Sequence, residues 1–372
     1  MKCKLSDIAI VTMGQSPKGD TYNNQGTGMP FLQGNRTFGD RYPEFDTWTT
    51  SPTKIAKAGD VIMSVRAPVG DLNITPVEMC LGRGVCSIRA KNGCQDFIYY
   101  LMKHSMSQLL SKESGTVFGS VNRNDINGLD VDVPEKDEEQ KKIARYLAVI
   151  DEKIETNKKI NENLLQQAGA VFDKFYVESS DQQLFTSLIN VLGGGTPKTG
   201  NPEFWDGHIP FFTPKDVGAP YTFQTEKYIT ESGLAHCNSR LYPENTTFVT
   251  ARGTVGKVCL AGMPMAMNQS CYALASETVD PLLVYFYVLK AVTSLKHKAS
   301  GAVFDAIVTR DFDSETINIL SDDDAKSVLA IIKPMMEIIH NNIEENMRLA
   351  ALRDSLLPRL MSGELDVSAL DL

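Results

Sequence analysis

A row of apolar residues at alternating steps of four and three constrains this chain more than any other feature of its sequence. The row runs between residues 137 and 171 and contains Ile143, Leu147, Ile150, Ile154, Asn157, Asn161, Leu164, Ala168 and Val171. This spacing is typical of one face of a coiled-coil helix. At about 1.5 Å per residue the helix is on the order of 50 Å long, so its apolar face needs a partner helix.

A second row of the same kind, between residues 322 and 360, supplies that partner. It contains Val328, Ile332, Met335, Ile339, Asn342, Asn346, Leu349 and Leu356. Each position from Ile143 to Leu164 recurs at the same constant offset, which pairs Ile143 with Val328 and Leu164 with Leu349, and the two asparagines recur with them. We therefore predict that helices 137–175 and 322–360 pair within one chain. A buried asparagine in such a row costs stability and sets register, so we interpret the matched asparagines as a register device; the alternative is a solvated or kinked helix middle.

The direction of this pairing is not set by the spacing, because coiled coils form with parallel or antiparallel helices. We favour the antiparallel arrangement, since the chain can then place a second globular part at the far end of the helices and return. Duplicated helices paired in this way acquire a pseudo-two-fold axis. Proteins that read two separated DNA half-sites use this geometry, because equivalent major-groove faces recur about every 34 Å.

Shorter motifs show that the globular parts are duplicated as well. With one constant offset, VTMGQSPK at 11–18 recurs as VLGGGTPK at 191–198, and Pro30-Phe31 recurs as Pro210-Phe211. With a slightly larger offset, VRAPVG at 65–70 recurs as ARGTVG at 251–256, and SGTVF at 114–118 recurs as SGAVF at 300–304. The chain is therefore one unit of about 185 residues written twice.

These patterns predict an α+β protein with two mixed α/β globular domains joined by two long antiparallel coiled-coil helices. The predicted division is 1–133 and 177–320 for the globular domains, 134–176 for the central helix, and 321–372 for the C-terminal helix and tail. In each domain a strand ends in a glycine-containing turn and a helix follows; the strands are 60–65 and 246–251, and the helices are 95–110 and 280–295. Residues 177–183 are interpreted as a polar linker.

Charge and cysteine content limit the classes of function. The formal net charge of −9 argues against a general nucleic-acid binder, because contact with DNA must then come from local patches. Residues 1–133 carry 14 basic and 13 acidic side chains, whereas residues 177–320 carry 10 and 14. The seven cysteines are scattered without a C-x-x-C pair, which is typical of a reducing cytoplasm. The apolar runs 8–13 and 282–289 are too short for a signal peptide or a membrane span.

The glycine-rich stretches do not match catalytic motifs. Neither GGGTPKT at 193–199 nor GTVGK at 253–257 followed by Val258 satisfies the phosphate-loop pattern. NPEF at 201–204 differs from the N-P-P-[FY] motif of adenine methyltransferases at Glu203. A zinc site built on His236 and Cys237 lacks evident further ligands. We therefore predict no catalytic residue, no metal and no cofactor in this chain.

Polar residues beside glycines or at strand ends form the candidate site instead. Arginine, lysine, asparagine and glutamine are the side chains that read base edges in pairs of hydrogen bonds or hold phosphates. The predicted DNA-binding residues are Gln15, Ser16, Lys18, Asn35, Arg36, Arg66, Arg83, Asn122 and Arg123 in the first domain, and Thr196, Lys198, Lys215, Arg252, Lys257, Asn268, Gln269 and Arg310 in the second. Arg66 and Arg252 stand out because both precede a tight turn at the same repeat position. The alternative is that all of these are solvated loop residues.

Two motifs carry a resemblance to a known family. GGTP at 194–197, NPEFW at 201–205 and IPF at 209–211 resemble the opening of a target recognition domain in type I restriction–modification specificity subunits. The tail RDSLLPRLMSGEL at 353–365 is similar to the C-terminal signature of that family. The first domain departs from the pattern, with QSP at 15–17 and no NPEFW box. Two different half-sites require such a divergence.

The resemblance implies a non-catalytic subunit that reads a bipartite double-stranded DNA target through its two domains. In that family it assembles with two methyltransferase subunits, which bind S-adenosylmethionine and methylate adenine, and with restriction (translocase and nuclease) subunits that cut unmethylated DNA. The long helices would set the distance between half-sites and dock the methyltransferase subunits. Two other classes stay open: a coiled-coil scaffold or adaptor that does not read DNA, which the repeated Arg-x-x-Val-Gly turns disfavour, and an enzyme, which the failed nucleotide motifs disfavour.

Overall fold

The chain folds into two units, each containing one globular part and portions of both long helices. In the computed structural model, which describes residues 1–66, 68–111, 119–218, 220–298 and 306–367, unit 1 comprises residues 1–154 and 348–372 and unit 2 comprises residues 155–347. The boundaries between the two units fall inside both long helices, whereas the four segments predicted above follow the sequence repeat. That four-part division stays a prediction. The repeated motifs 114–118 and 300–304 lie outside the described residues.

The globular part of unit 1 is built from short strands packed on helix α2. Its elements are β1 (Lys2–Lys4), α1 (Leu5–Ile8), β2 (Ala9–Met13), β3 (Tyr22–Asn23), β4 (Met29–Leu32), β5 (Trp48–Thr49), β6 (Ile55–Ala56), β7 (Val61–Val65), β8 (Val69–Ile74), β9 (Met79–Leu81), β10 (Val85–Ala90), α2 (Gln95–Leu110), α3 (Arg123–Asn127) and β11 (Asp130–Asp132), and the long helix α4 (Asp137–Glu178) begins here. One sheet has the order β2-β10-β7-β8, a second has the order β3-β5-β4-β9-β6, and β1 pairs with β11.

Strand β7 shows why the predicted strand 60–65 is almost wholly apolar. Met63 and Val65 face the core that contains α2, whereas Ile62 faces a second cluster on the other side of the sheet. Successive side chains of a strand point to opposite faces, so a strand covered on both faces needs apolar residues throughout. Ser64 is the exception, and its hydroxyl accepts a hydrogen bond from the Asp71 N–H at 2.9 Å.

Unit 2 repeats this arrangement. Its elements are β12 (Gln182–Leu184), β13 (Asn190–Gly193), β14 (Trp205–Phe212), β15 (Tyr221–Thr222), β16 (Tyr228–Ile229), α5 (Glu231–Ala235), β17 (Thr247–Thr250), β18 (Val258–Ala261), β19 (Ala266–Met267), β20 (Cys271–Ala275), α6 (Pro281–Lys298), α7 (Thr309–Asp313), β21 (Thr316–Asn318) and the long helix α8 (Asp322–Met361). The order β13-β20-β17-β18 matches β2-β10-β7-β8 of unit 1, with β15 added at the β18 edge, and α6 packs on its sheet as α2 does. The predicted duplication is confirmed at the level of topology.

The contacts within each unit show that the long helices run antiparallel. In unit 1 the beginning of α4, at Ile143 and Leu147, shares a core with the end of α8 at Leu360. In unit 2 the end of α4, at Phe172, shares a core with the beginning of α8 at Val328. A parallel pair would place Ile143 beside Val328, so the antiparallel prediction is confirmed.

The asparagines of the two rows meet inside this helix pair. Asn157 Nδ2 donates to Asn346 Oδ1 at 2.9 Å and to Glu345 Oε2 at 2.7 Å. Asn342 Nδ2 donates to Asn161 Oδ1 at 2.8 Å. Asn157 is 1% exposed and Asn161 7%, which excludes a solvated helix middle. Because both hydrogen bonds break if one helix slides by a turn, this geometry fits a register device.

A largely buried ionic cluster joins both long helices to the globular part of unit 1. Asp151 accepts hydrogen bonds from Arg353 Nη1 at 2.7 Å and from the Tyr100 hydroxyl at 2.7 Å, and Arg41 Nη1 lies 3.8 Å from the same carboxylate. Burial and the Asp151 charge raise the pKa of Tyr100 above its ordinary value, so the phenol stays a donor. Two arginines and a phenol offset the cost of burying this carboxylate.

One detail of the sequence prediction is wrong, and two predicted contact residues are less deeply buried than their neighbours. Helix α4 continues through Gly169 to Glu178, and Gln182–Leu184 forms strand β12 against β21, so residues 177–183 are not simply a linker. Phe172, rather than the predicted Val171, is the fully buried residue of that turn. Met336 is likewise more deeply buried than the predicted Met335. Near the globular core the helix turns its contact face toward the domain, which strict heptad spacing does not anticipate.

Candidate nucleic-acid interface

Two loops meet at one edge of the unit 1 sheets. The loop after β2 begins at Gly14, whose N–H donates to the Val85 carbonyl at 3.0 Å, and the next N–H, of Gln15, donates to the Leu81 carbonyl at 2.9 Å. A Cβ on Gly14 would lie 2.0 Å from the Gly82 carbonyl oxygen. Only glycine permits this approach, so the Gly14 position is set by the neighbouring turn at residues 82–84.

The ends of two further strands join this edge. The Gly84 N–H donates to the Gln33 carbonyl at 2.9 Å, just after β4. The Val65 N–H, at the end of β7, donates to the Gly84 carbonyl at 2.9 Å. The backbone of the next residue, Arg66, forms an isolated antiparallel β-bridge with Ser120. The structure thus brings Gln15, Arg66 and the 82–84 turn together although they are far apart in sequence.

The side chains of this edge are ordered by one hydroxyl. The Ser16 hydroxyl accepts from Arg83 Nε at 3.2 Å and from the Arg83 N–H at 3.3 Å. It donates to Gln33 Oε1 at 2.9 Å. Arg83, Gln33 and Gln15 are exposed. We call Gln15, Ser16, Gln33, Arg66 and Arg83 cluster 1.

Unit 2 carries the equivalent edge. A Cβ on Gly194 would lie 2.3 Å from the Asn268 carbonyl oxygen, and the Asn268 N–H donates to the Phe212 carbonyl at 2.9 Å. The Ala251 N–H donates to the Ser270 carbonyl at 2.8 Å, which places the backbone of the next residue, Arg252, beside the same turn. These contacts reproduce those of Gly14, Gly82 and Val65 in unit 1.

One hydroxyl also orders the side chains here. The Thr196 hydroxyl donates to Gln269 Oε1, and Asn268 Oδ1 accepts from the Ser270 N–H at 3.0 Å. Thr196, Arg252 and Gln269 are exposed. We call Thr196, Arg252, Asn268 and Gln269 cluster 2. Each unit therefore presents polar side chains of base-reading types at the same edge of the same sheet.

Some predicted site residues are already paired with carboxylates outside the clusters. Asn35 Nδ2 donates to Asp71 Oδ2 at 2.5 Å, and Arg36 Nη2 donates to both oxygens of Asp46 at 2.9 and 2.7 Å. Hydrogen bonds from Arg36 and Thr47 hold the pKa of Asp46 below its ordinary value. Lys215 Nζ lies 3.6 Å from Glu226 Oε2.

Two other predicted residues serve the backbone. Asn122 is the N-cap of α3, and its Oδ1 accepts from the Asn124 N–H at 2.7 Å and the Asp125 N–H at 3.2 Å. Arg123 donates to the Val11 carbonyl through Nη2 at 2.6 Å and Nε at 3.2 Å. Capping and turn fixing account for these side chains without a ligand.

The remaining predicted residues are exposed. Lys18 and Lys198 follow the first loop of each cluster, Lys257 precedes β18, and Arg310 lies in α7. The position of Lys18 and Lys198 at the end of these loops suits lysines that hold phosphates, which need charge and reach rather than a fixed geometry.

Sequence reasoning missed exposed polar residues that complete the two edges. Gln33 follows the repeated Pro30-Phe31 motif, and that position was a usable signal. In unit 2, a Cβ on Gly195 would lie 2.6 Å from the Asn238 nitrogen, which places the exposed Asn238 beside cluster 2. The segment around Asn238 lies outside the repeated motifs, so the repeat gave no signal there.

The motifs considered for catalysis have structural roles. Asn201 Oδ1 accepts from the Glu203 N–H at 3.2 Å and caps a short 3₁₀ turn. Trp205 Nε1 donates to the Lys198 carbonyl at 3.2 Å, and the Phe204 ring stacks on His236 with centroids 5.0 Å apart. Burial raises the pKa of Cys259 to about 12, so that thiol stays protonated and inert.

Metal-binding clusters and membrane-spanning helices are both absent from the part of the chain that the structure describes. There, no group of three or more His, Cys, Asp or Glu side chains is placed to hold a metal ion. None of the described helices is both long enough and apolar enough to span a bilayer.

The chain thus contains two copies of one α+β unit, each with a matched polar edge. A comparison with protein families identifies the family that has this organisation. The chain belongs to the type I restriction modification DNA specificity domain family, whose model matches residues 1–166 and 185–348. The type I restriction enzyme MjaIX specificity subunit of Methanocaldococcus jannaschii is 23% identical over 346 residues, covering 85% of this chain and 80% of that subunit.

Shorter matches are more similar in sequence. The putative type I restriction enzyme MjaX specificity subunit, also of M. jannaschii, is 38% identical over 156 residues, which are 41% of this chain and 36% of that subunit. The EcoR124I/EcoR124II specificity subunit of Escherichia coli is 37% identical over 100 residues, 26% of this chain and 24% of that subunit. The aligned region thus spans little more than a third of the first of these relatives and about a quarter of the second.

A solved structure shares the fold. The S subunit of a type I restriction-modification system from M. genitalium superimposes with a TM-score of 0.63, covering 97% of this chain and 96% of that chain, at 14% identity. At this identity the likeness shows the fold alone. It agrees with an α+β architecture of duplicated domains and long helices.

Proposed function

We propose that this chain is the DNA sequence-specificity subunit of a type I restriction–modification complex and reads a bipartite double-stranded target. The single observation that carries the proposal is the presence of equivalent exposed polar clusters, one in each unit, in a chain of the specificity-domain family. Clusters 1 and 2 contain the side-chain types that discriminate bases in the major groove. A duplicated reader of this kind recognises two half-sites rather than one continuous site.

In the proposed complex the chain has no catalytic residue and no cofactor of its own. Two methyltransferase subunits supply adenine methylation, and restriction subunits join that core in the cytoplasm. The antiparallel helices set the distance between half-sites and dock the methyltransferase subunits. A scaffold without DNA-reading function is less well supported, because scaffolding gives no reason for matched polar edges on both units.

The test is a map of methylated adenines. The tagged chain is purified from its host with the methyltransferase subunits that accompany it, and the complex modifies a random-sequence DNA library in the presence of S-adenosylmethionine. We expect one motif of two short half-sites separated by a fixed number of unspecified bases, read by single-molecule sequencing. The control is the methyltransferase subunits without this chain, which should give no motif.

Two results contradict the proposal. The first is purification of the chain without any methyltransferase subunit. The second is a motif that is continuous, or one that is unchanged when this chain is omitted.

A further inference from the structure

The two clusters differ in the side chain that their shared geometry presents. Ser16 and Thr196 occupy the same position in the first loop of each cluster, in the repeated motifs 11–18 and 191–198. Arg83 and Gln269 occupy the same position in the second loop, at the offset that also relates Arg66 to Arg252. In both clusters the hydroxyl of the first residue is hydrogen-bonded to the side chain of the second. The same scaffold thus holds an arginine in unit 1 and a glutamine in unit 2.

The hydrogen bonds leave the recognition atoms of both side chains free. Ser16 engages only Nε and the backbone N–H of Arg83. Within the described residues neither Nη group of Arg83 has a partner, and neither does Nε2 of Gln269. Gln269 Oε1 accepts from Thr196 but retains a second lone pair. Each side chain is held at its base and exposed at its end.

These free atoms match different bases. Two parallel N–H donors of arginine fit the paired acceptors O6 and N7 of guanine, whereas the donor and acceptor of glutamine fit N7 and the N6 amino group of adenine. We propose that Arg83 and Gln269 are corresponding base-reading residues, so that unit 1 requires a guanine and unit 2 an adenine at the equivalent position of their half-sites. This inference rests on the proposed DNA-reading function.

Ser16 and Thr196 are positioning residues in this arrangement. Holding Arg83 Nε restricts the guanidinium to one orientation, and holding Gln269 Oε1 fixes the amide against rotation. An ordered side chain gives up less conformational freedom on binding. Cluster 1 adds Gln33, whose Oε1 accepts from Ser16 at 2.9 Å and so orients the hydroxyl.

The experiment exchanges the two side chains. The motif methylated by the R83Q complex is expected to contain an A·T pair in place of a G·C pair at one position of one half-site. The motif of the Q269R complex is expected to show the reverse change at the other half-site. Discrimination at that position should shift by roughly 5- to 150-fold, the size of one bidentate contact. Every other position of the motif should stay as in the unaltered complex, as read by single-molecule sequencing of a methylated library.

Conservative variants separate base reading from charge and from simple structure. R83K keeps the positive charge without the planar fork, so it should weaken the guanine preference. S16A and T196V should weaken discrimination at the same two positions. S16T and T196S keep the hydroxyl and should therefore keep the discrimination of the unaltered complex. A thermal melt of each complex shows whether the variant is folded. Q269R tests the inference independently of R83Q, and Gln269 is exposed, so its replacement should not disturb the fold.

Several results would overturn the inference while the proposed function stands. One is an unchanged bipartite motif in both R83Q and Q269R. Another is a uniform loss of methylation in R83Q that R83K restores, since a loss shared by all sequences makes Arg83 a phosphate contact. Failure of the unaltered complex to give any bipartite motif would instead overturn the proposed function itself.

Discussion

The contacts of each side chain within the protein decide whether that side chain is available to bind DNA. Arg66 and Arg252 are exposed at the same repeat position, and the residue before each of them donates its backbone N–H to the turn of its cluster. By contrast, Arg36 is paired with Asp46 through two hydrogen bonds. The same residue type therefore has different availability, and the difference lies in the neighbours of each side chain.

Arg66→Ala is predicted to relax recognition at one half-site only, and Arg252→Ala at the other. A bidentate base contact is worth about 1–3 kcal/mol, so discrimination at that half-site should fall roughly fivefold or more. The measurement is methylation of a panel of half-site variants by the reconstituted complex, with thermal melting of each mutant.

The matched control for this pair is Arg66→Lys, which keeps the charge. If Arg66 holds a phosphate, Arg66→Ala should weaken all sequences alike and reduce the salt dependence by about one charge. A mutant that melts normally and methylates every variant as the unaltered complex does identifies its arginine as a solvated loop residue.

Among the elements, the helix pair carries a stability cost at its centre. Asn161 is 7% exposed and accepts from Asn342 at 2.8 Å. An apolar pair of similar size at these positions would pack without desolvating amides. The asparagines are explained by specificity of register rather than by stability, as in coiled coils with one polar seam residue.

We predict that Asn342→Leu lowers the free energy of unfolding by about 1–3 kcal/mol, because it leaves the buried Asn161 amide without its partner. The double variant Asn161→Leu, Asn342→Leu should recover most of that loss. Denaturant unfolding of the single and double variants measures both effects, and Leu352→Ala on the exposed face of α8 is the control.

The register role has its own readout in this series. If the asparagines fix register, the double variant should methylate motifs with more than one spacer length although it is stable. A stable double variant with the single original spacer contradicts the register role, and a single variant as stable as the unaltered chain contradicts the hydrogen bond.

For the whole molecule, charge limits what the chain does alone. The net charge is −9, and residues 1–133 carry only one more basic than acidic side chain. Counterion release from DNA is the main source of affinity for basic proteins, and this chain has little of it. Under the proposed function the clusters supply discrimination, whereas affinity must come from subunits that bind with the chain.

The isolated chain is accordingly predicted to bind DNA weakly and with little sequence preference. Fluorescence anisotropy with a duplex carrying the methylated motif and a scrambled duplex, across a salt series, measures both properties. Addition of the methyltransferase subunits should raise affinity for the motif far more than for the scrambled duplex. Tight and selective binding by the purified chain alone would contradict this prediction.

Linear patterns in the sequence were sufficient for the elements and the duplication. Asn342 and Asn346 repeat Asn157 and Asn161 at a constant offset, and this repeat predicted a matched helix pair. Helix α2 has the predicted bounds Gln95–Leu110. Periodicity and repeats can be read along the chain, so they need no knowledge of the fold. The antiparallel direction was favoured from chain connectivity and is confirmed by contacts within each unit.

The composition of each cluster depended on tertiary structure. Ser16 and Arg83 lie far apart in sequence, and so do Thr196 and Gln269. A hydrogen bond forms only within about 3 Å, a distance set by the strand order and the glycine contacts. The sequence alone therefore determined which residue types were present and how often the unit was repeated. Tertiary structure decided that Arg36 is paired with a carboxylate while Arg83 is held with its fork free, because that outcome depends on strands brought together only by folding.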